Sequence, residues 1–234
     1  MTTTLAAAVL ASGMAMPASA GVDATVGLTS EYIFRGTSLG DAGAYFDLSY
    51  SVAGFYLGTW MINDGVGAND GLETDFYMGY GLETEGGFTF DVMLNGYEYT
   101  YTSDKEYELG VALGYAGFGF ATYYGRDFQE GVPSGVDEDY DFSFTTLSWS
   151  GDVFGVLLGH YQVVDLADEA DSEAAGVYKG DKYSYLELSA GGEVVGLDMG
   201  VAIGRKFNIT SGDVDGLSAG SEYIVLDVSK SFSF

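Results

Sequence analysis

The 234-residue sequence predicts an all-β protein, a closed antiparallel transmembrane barrel of about twelve strands, and three observations carry that expectation. Apolar and polar residues alternate with a period of two through nearly all of the chain after residue 20. Short connectors alternate with long acidic ones. Aromatic residues stand at both ends of the apolar runs, where amphipathic rings settle at a membrane interface.

Composition narrows the function classes. Lys and Arg number 8 against 35 Asp and Glu, a formal charge of -27. Such a surface repels nucleic acid. The chain has no Cys and one His, which excludes thiol chemistry, thiolate zinc sites and multi-histidine metal centres. No cofactor is expected. Gly, at 36 residues, is roughly twice its usual share of about 7%. A hydrophobic fraction of 47% sets the chain apart from acidic disordered sequences.

Residues 1–20 carry no charged side chain, hold an apolar stretch over 5–16 and end Ala18-Ser19-Ala20, a signal-peptidase pattern. They are read as an export leader, although the usual basic start is missing. Residues 21–234 are then the barrel. The strands follow in order. Val22, Ala24, Val26, Leu28, Tyr32 and Phe34 share one face, opposed by Asp23, Thr25, Thr29, Glu31 and Arg35. Phe46, Leu48 and Tyr50 oppose Tyr45, Asp47 and Ser49. Leu72, Phe76, Met78 and Tyr80 oppose Glu73, Asp75 and Tyr77. Phe88, Phe90, Val92 and Leu94 oppose Asp91 and Asn95, and Tyr107, Leu109 and Val111 oppose Glu106 and Glu108. Phe118, Phe120 and Tyr124 oppose Ala121 and Tyr123. Tyr140, Phe142 and Phe144 oppose Asp141, Ser143 and Thr145. Leu186 and Leu188 oppose Tyr185 and Glu187, and Leu197, Met199 and Val201 oppose Asp198 and Gly200. Segments 55–62 and 153–163 are apolar on both faces and leave their orientation open.

Short connectors fall at 51–54, 84–87, 116–117, 150–152 and 191–193. Long ones fall at 36–41, 63–71, 98–105, 126–139, 164–181 and 207–221. Short periplasmic turns and long extracellular loops are what an outer-membrane barrel requires. One girdle of aromatics is expected at Tyr50, Phe55, Tyr80, Phe88, Tyr115 and Phe118, the other at Phe34, Phe76, Tyr107, Tyr124 and Tyr140. A soluble β-fold remains the architectural rival, because alternation by itself does not say which face is inside. The small, polar and Tyr-rich face favours a water-lined lumen over a dry core.

At the C-terminus Ile224, Leu226, Val228, Phe232 and Phe234 share one parity, and Lys230 joins them. Phe232 and Phe234 are read as the assembly signal for the barrel-assembly machinery. Lys230 is expected to snorkel to the nearby interface.

Segments 26–36 (VGLTSEYIFRG), 54–60 (GFYLGTW) and 73–81 (ETDFYMGYG) resemble the TorF family of porins, and the likeness extends over nearly the whole chain beyond the leader. The resemblance implies a bacterial outer-membrane barrel and a pore; it implies no reaction.

The residues expected to line that pore are Glu31, Arg35, Asp47, Glu73, Asp75, Asp91, Asp141, Glu187, Asp198 and Asp227. Fixed carboxylates in a narrow low-dielectric channel concentrate cations, so small hydrophilic solutes or cations are the expected cargo. The plainer reading is that these groups hydrate the lumen or pair with Arg35, whose partners would be Glu31 or Glu73. Inward Tyr45, Tyr77, Tyr97, Tyr99, Tyr123, Tyr183 and Tyr185 would narrow the passage, even to a plug. Outer-membrane lipids and lipopolysaccharide are the expected surroundings. Two other functions stay open: a lipid hydrolase using His160 with Ser143 or Ser148, and a structural or adhesive barrel acting through its acidic loops. The acidic loop 164–181 and the fragment Asp213-Val-Asp215-Gly216 lack the regular ligand spacing of a calcium loop and read as solvated.

Overall fold

The computed structural model describes residues 20–63, 71–100, 104–128, 139–166, 179–210 and 222–234. Nearly all of the leader, most of the acidic loop 164–181 and the 213–216 fragment lie outside the described residues.

Among the described residues there are fourteen strands: β1 (Gly21–Thr29), β2 (Tyr32–Phe34), β3 (Thr37–Gly40), β4 (Gly43–Val52), β5 (Phe55–Asn63), β6 (Leu72–Glu83), β7 (Phe88–Tyr99), β8 (Lys105–Tyr115), β9 (Phe118–Phe128), β10 (Tyr140–Ser150), β11 (Phe154–Leu166), β12 (Lys182–Val194), β13 (Leu197–Thr210) and β14 (Glu222–Ser233). Twelve of them, β1 and β4 through β14, form one closed antiparallel barrel in which each pairs with its chain neighbours and β1 closes on β14. The remaining two, β2 and β3, pair only with each other. Closure leaves no unpaired edge, the condition for strands to cross hydrocarbon.

The apolar face points outward. Leu28, Leu57, Met78, Leu94, Leu109, Phe118, Ile224 and Leu226 are all exposed, while Tyr45, Asp75, Asp91, Tyr97, Glu108, Tyr185 and Asp227 are buried inside. An apolar wall this extensive needs hydrocarbon rather than water around it, since soluble monomers seldom expose patches beyond a few hundred Å². The ambiguous segments are resolved by register: Tyr56, Trp60 and Ile62 turn inward on β5, as do Leu157, Tyr161 and Val163 on β11.

Three expectations need correction. The connector placed at 191–193 is part of the ladder, where Gly191 pairs with Gly200 and Gly192 with Met199; the turn is Val195-Gly196. Both of its residues have positive φ, as do those of Ala53-Gly54 and Ala116-Gly117. That is the geometry a two-residue hairpin demands, so a Gly-Gly pair was the weaker signal than one Gly at the second turn position. Phe34 and Tyr140 are not girdle residues. Phe34 lies inside against Tyr97 at 5.6 Å, and Tyr140 donates to Asp127 at 2.9 Å from the inward parity. Finally, β10 is reversed. Phe142 and Phe144 are buried inside, and Asp141, Ser143 and Thr145 take the outward parity with exposed Leu147 and Trp149. β10 pairs with β9 without a register shift, so one parity holds throughout and the apolar residues at 142 and 147 cannot share a face.

The Lys230 ammonium extends to the turn between β12 and β13, where it donates to the Gly196 carbonyl.

Candidate functional site in the barrel lumen

The first connector folds back as the β2–β3 hairpin. Its turn is Arg35-Gly36, with φ of 50° and 77°, flanked by the Phe34–Thr37 pair. Such a turn is costly for Arg and favourable for Gly. At position 36 a Cβ would also overlap the Tyr185 ring, so a side chain is excluded twice over.

The hairpin is anchored to several strands of the wall. Tyr32 donates to Glu73 at 2.7 Å on β6 and packs on Trp60 of β5 at 5.8 Å. The Arg35 guanidinium spans two carboxylates of β8, donating to Glu106 at 3.0 Å and to Glu108. Glu108 also accepts from Tyr97 at 2.7 Å and Asn95 at 2.8 Å. The other side of the guanidinium meets rings: Phe144 at 4.8 Å and Phe142 at 5.1 Å on β10, and its neighbour Phe34 at 4.5 Å. A desolvated cation between two carboxylates and several ring faces is held by Coulombic, hydrogen-bonding and quadrupole attraction together. This explains the reversal of β10, whose rings are needed inside.

Around the hairpin the wall follows a repeated device. Tyr45 on β4 crosses Gly27 on β1 and donates to Asp227 on β14 at 3.1 Å. Tyr56 on β5 crosses Gly79 on β6 to Asp91 on β7, at 2.7 Å. Tyr77 on β6 crosses Gly58 on β5 to Asp47 on β4, at 2.8 Å. Tyr223 on β14 crosses Gly204 on β13 to Glu187 on β12, at 2.7 Å. Each glycine makes room for a ring that a Cβ would overlap, and each hydroxyl serves a carboxylate two strands away. Asp47, Asp91, Glu187 and Asp227 thereby accept from phenols, whereas Glu106 and Glu108 take the Arg35 cation.

Of the residues named from sequence, Asp47, Glu73, Asp75, Asp91, Glu187, Asp198 and Asp227 take the inward parity, and Arg35 joins them from the hairpin. Glu31 stands between β1 and β2, with its carbonyl accepting from Thr29 at 2.8 Å. Asp141 is outside, accepting from Tyr124 at 2.7 Å and Arg126 at 3.4 Å. Arg35 pairs with Glu106 and Glu108 rather than with Glu31 or Glu73; it is Tyr32 that takes Glu73. Sequence reasoning missed Tyr32 and Phe34 as lumen residues because they continue the β1 parity. The Arg-Gly pair between short apolar runs was the available signal for a turn. His160 also differs: it is exposed on the outer wall, with Nδ1 3.0 Å from Ser184 Oγ, while Ser148 lies on the inward parity and Ser143 opposite Gln162.

A family model described as "Bacterial protein of unknown function (Gcw_chp)" matches residues 14–127, just under half of the chain. That description carries no activity and gives the TorF resemblance no separate support. No curated protein matches the sequence. Solved structures do resemble the fold. The KdgM porin superposes with a TM-score of 0.52 at 10% identity, covering 91% of this chain and 99% of that one. A second KdgM structure, in complex with disordered oligogalacturonate, gives 0.51 at 10% identity with the same coverage. The NanC porin gives 0.50 at 11% identity, covering 89% and 97%. At such identities the likeness is one of fold: a closed barrel of porin architecture.

Proposed function

We propose that the chain is a bacterial outer-membrane, porin-like channel for small hydrophilic solutes, preferring cations, with its passage narrowed by the β2–β3 hairpin and with residues 1–20 removed as a leader. The observation that carries this reading is the inside-out barrel with a carboxylate-rich lumen. Glu73, Asp75, Asp91, Glu106, Glu108, Glu187 and Asp227 are buried there, against the cations Arg35 and Lys206. Fixed negative charge between low-dielectric walls favours cations over anions. It also argues against a polyanion such as the oligogalacturonate bound by the KdgM porin. No catalytic role is assigned to the lumen.

Reversal potential across a salt gradient in a planar bilayer tests the proposal. Potassium preference over chloride is expected, and anion preference would overturn it. A second reading, a non-conducting barrel, is favoured by one observation: Tyr97, Phe142, Glu73 and Ile62, all at the level of the hairpin, are fully buried. Intact insertion with no conductance would decide for it.

A further inference from the structure

The outer wall is not uniformly apolar. On β8 the outward residues from turn to loop are Tyr115, Leu113, Val111, Leu109 and Tyr107, an unbroken greasy column. On β10 that column stops after Trp149 and Leu147, and Thr145, Ser143 and Asp141 follow. Register extends the break across four strands. Phe120, Leu147, Leu158 and Leu186 form one apolar row across β9–β12. The next row toward the loops is Thr122, Thr145, His160 and Ser184. Its members are bonded in pairs, the two Thr hydroxyls at 3.1 Å and His160 Nδ1 to Ser184 Oγ at 3.0 Å. Above it run Tyr124, Ser143, Gln162 and Lys182.

Hydroxyl, imidazole and amide groups are poorly matched to hydrocarbon, so this wall favours a polar occupant. Charge says which kind. Among the described residues Lys182 makes no ion pair, whereas Arg126 on β9 and Arg205 on β13 hold Asp139, Asp141 and Glu222. Against a net charge of -27, a cation at this point on the outer wall favours an anionic occupant. Below it lie donors suited to phosphate or glycerol oxygens, and below those an apolar row suited to acyl chains.

We propose that this wall, β9–β12, binds an anionic phosphate-bearing lipid, its headgroup at Lys182, Ser184, His160 and Thr145 and its tails along Phe120, Leu147, Leu158 and Leu186. The proposal rests on the transmembrane reading above. The test uses the full chain in nanodiscs of equal parts dioleoylphosphatidylglycerol and dioleoylphosphatidylcholine, with retained lipids counted by native mass spectrometry. The phosphatidylglycerol is expected to be retained in excess over its bulk share. Lys182→Gln should cut that excess about fivefold, the effect of one basic residue at a membrane surface, and Thr145→Val with Ser184→Ala should lower it further. Equal retention of both lipids, or an excess unchanged in Lys182→Gln, overturns the proposal. Displacement by inorganic phosphate alone would mark an ion site instead, and a lipid-free dimer abolished by the same substitutions would mark a second copy as the occupant; either outcome overturns it. Gel mobility before and after heating separates the two failures: a folded barrel without lipid preference refutes only this site, and a chain that never enters the disc refutes the barrel reading beneath it.

Discussion

Arg35 occupies a position few arginines take. Its backbone is in the left-handed region and its side chain is buried between Glu106, Glu108 and the rings of Phe142 and Phe144. Removing one partner of a buried ion pair typically costs about 3–5 kcal/mol, because the other charge is left stranded. Arg35→Ala is therefore expected to lower the urea midpoint of unfolding and to raise single-channel conductance by freeing the hairpin. Arg35→Lys should rescue only part of this, since an ammonium lacks the fork that serves two carboxylates at once. A second residue-scale expectation concerns Val195, 99% exposed with a φ of 55°. A β-branched residue there carries strain of about 1–2 kcal/mol. Val195→Asn should raise the unfolding midpoint without changing conductance, because Asn tolerates this conformation and nothing packs on the side chain it replaces.

Among the elements, the β2–β3 hairpin has no partner strand in the barrel, so side chains alone hold it in place. Gly36→Val puts a β-branched residue at a φ of 77° and drives it into the Tyr185 ring. The expected outcome is a barrel that still shifts in mobility on heating but conducts more, with added current noise. Unchanged conductance would show that the hairpin does not limit the passage. Strand β10 shows how an element can mislead. YDFSFTTLSWS is apolar at 142 and 144 and again at 147 and 149, so either parity fits half of it. Local pattern carries no information on which half yields. The contact of Arg35 with Phe142 and Phe144, formed by a segment more than a hundred residues earlier, decides it.

At the scale of the whole molecule, three expectations follow from the inside-out arrangement. Leu109→Lys places a charge on the lipid-facing column of β8, and near the bilayer midplane this should cost about 2–4 kcal/mol of stability in vesicles. Ser49→Lys, on the inward parity of β4, should leave insertion intact and reduce cation preference. The proposed preference should weaken with salt, since the Debye length falls from about 10 Å at 0.1 M to about 3 Å at 1 M. Reversal potentials measured at both concentrations check this, and a salt-independent preference would point to a steric filter.

The residues by themselves determined the barrel: period-two alternation, connectors of alternating length and aromatics at run ends are local consequences of strands crossing hydrocarbon, and each is visible without neighbours. They also determined most of the inward carboxylates, because parity within one strand is enough to assign them. Tertiary structure decided what those carboxylates do. Whether Asp227 meets Tyr45, or Glu108 meets Arg35, depends on closure of the ring and on the return of the first connector into it. Such contacts join residues far apart in the chain, and no local period encodes them.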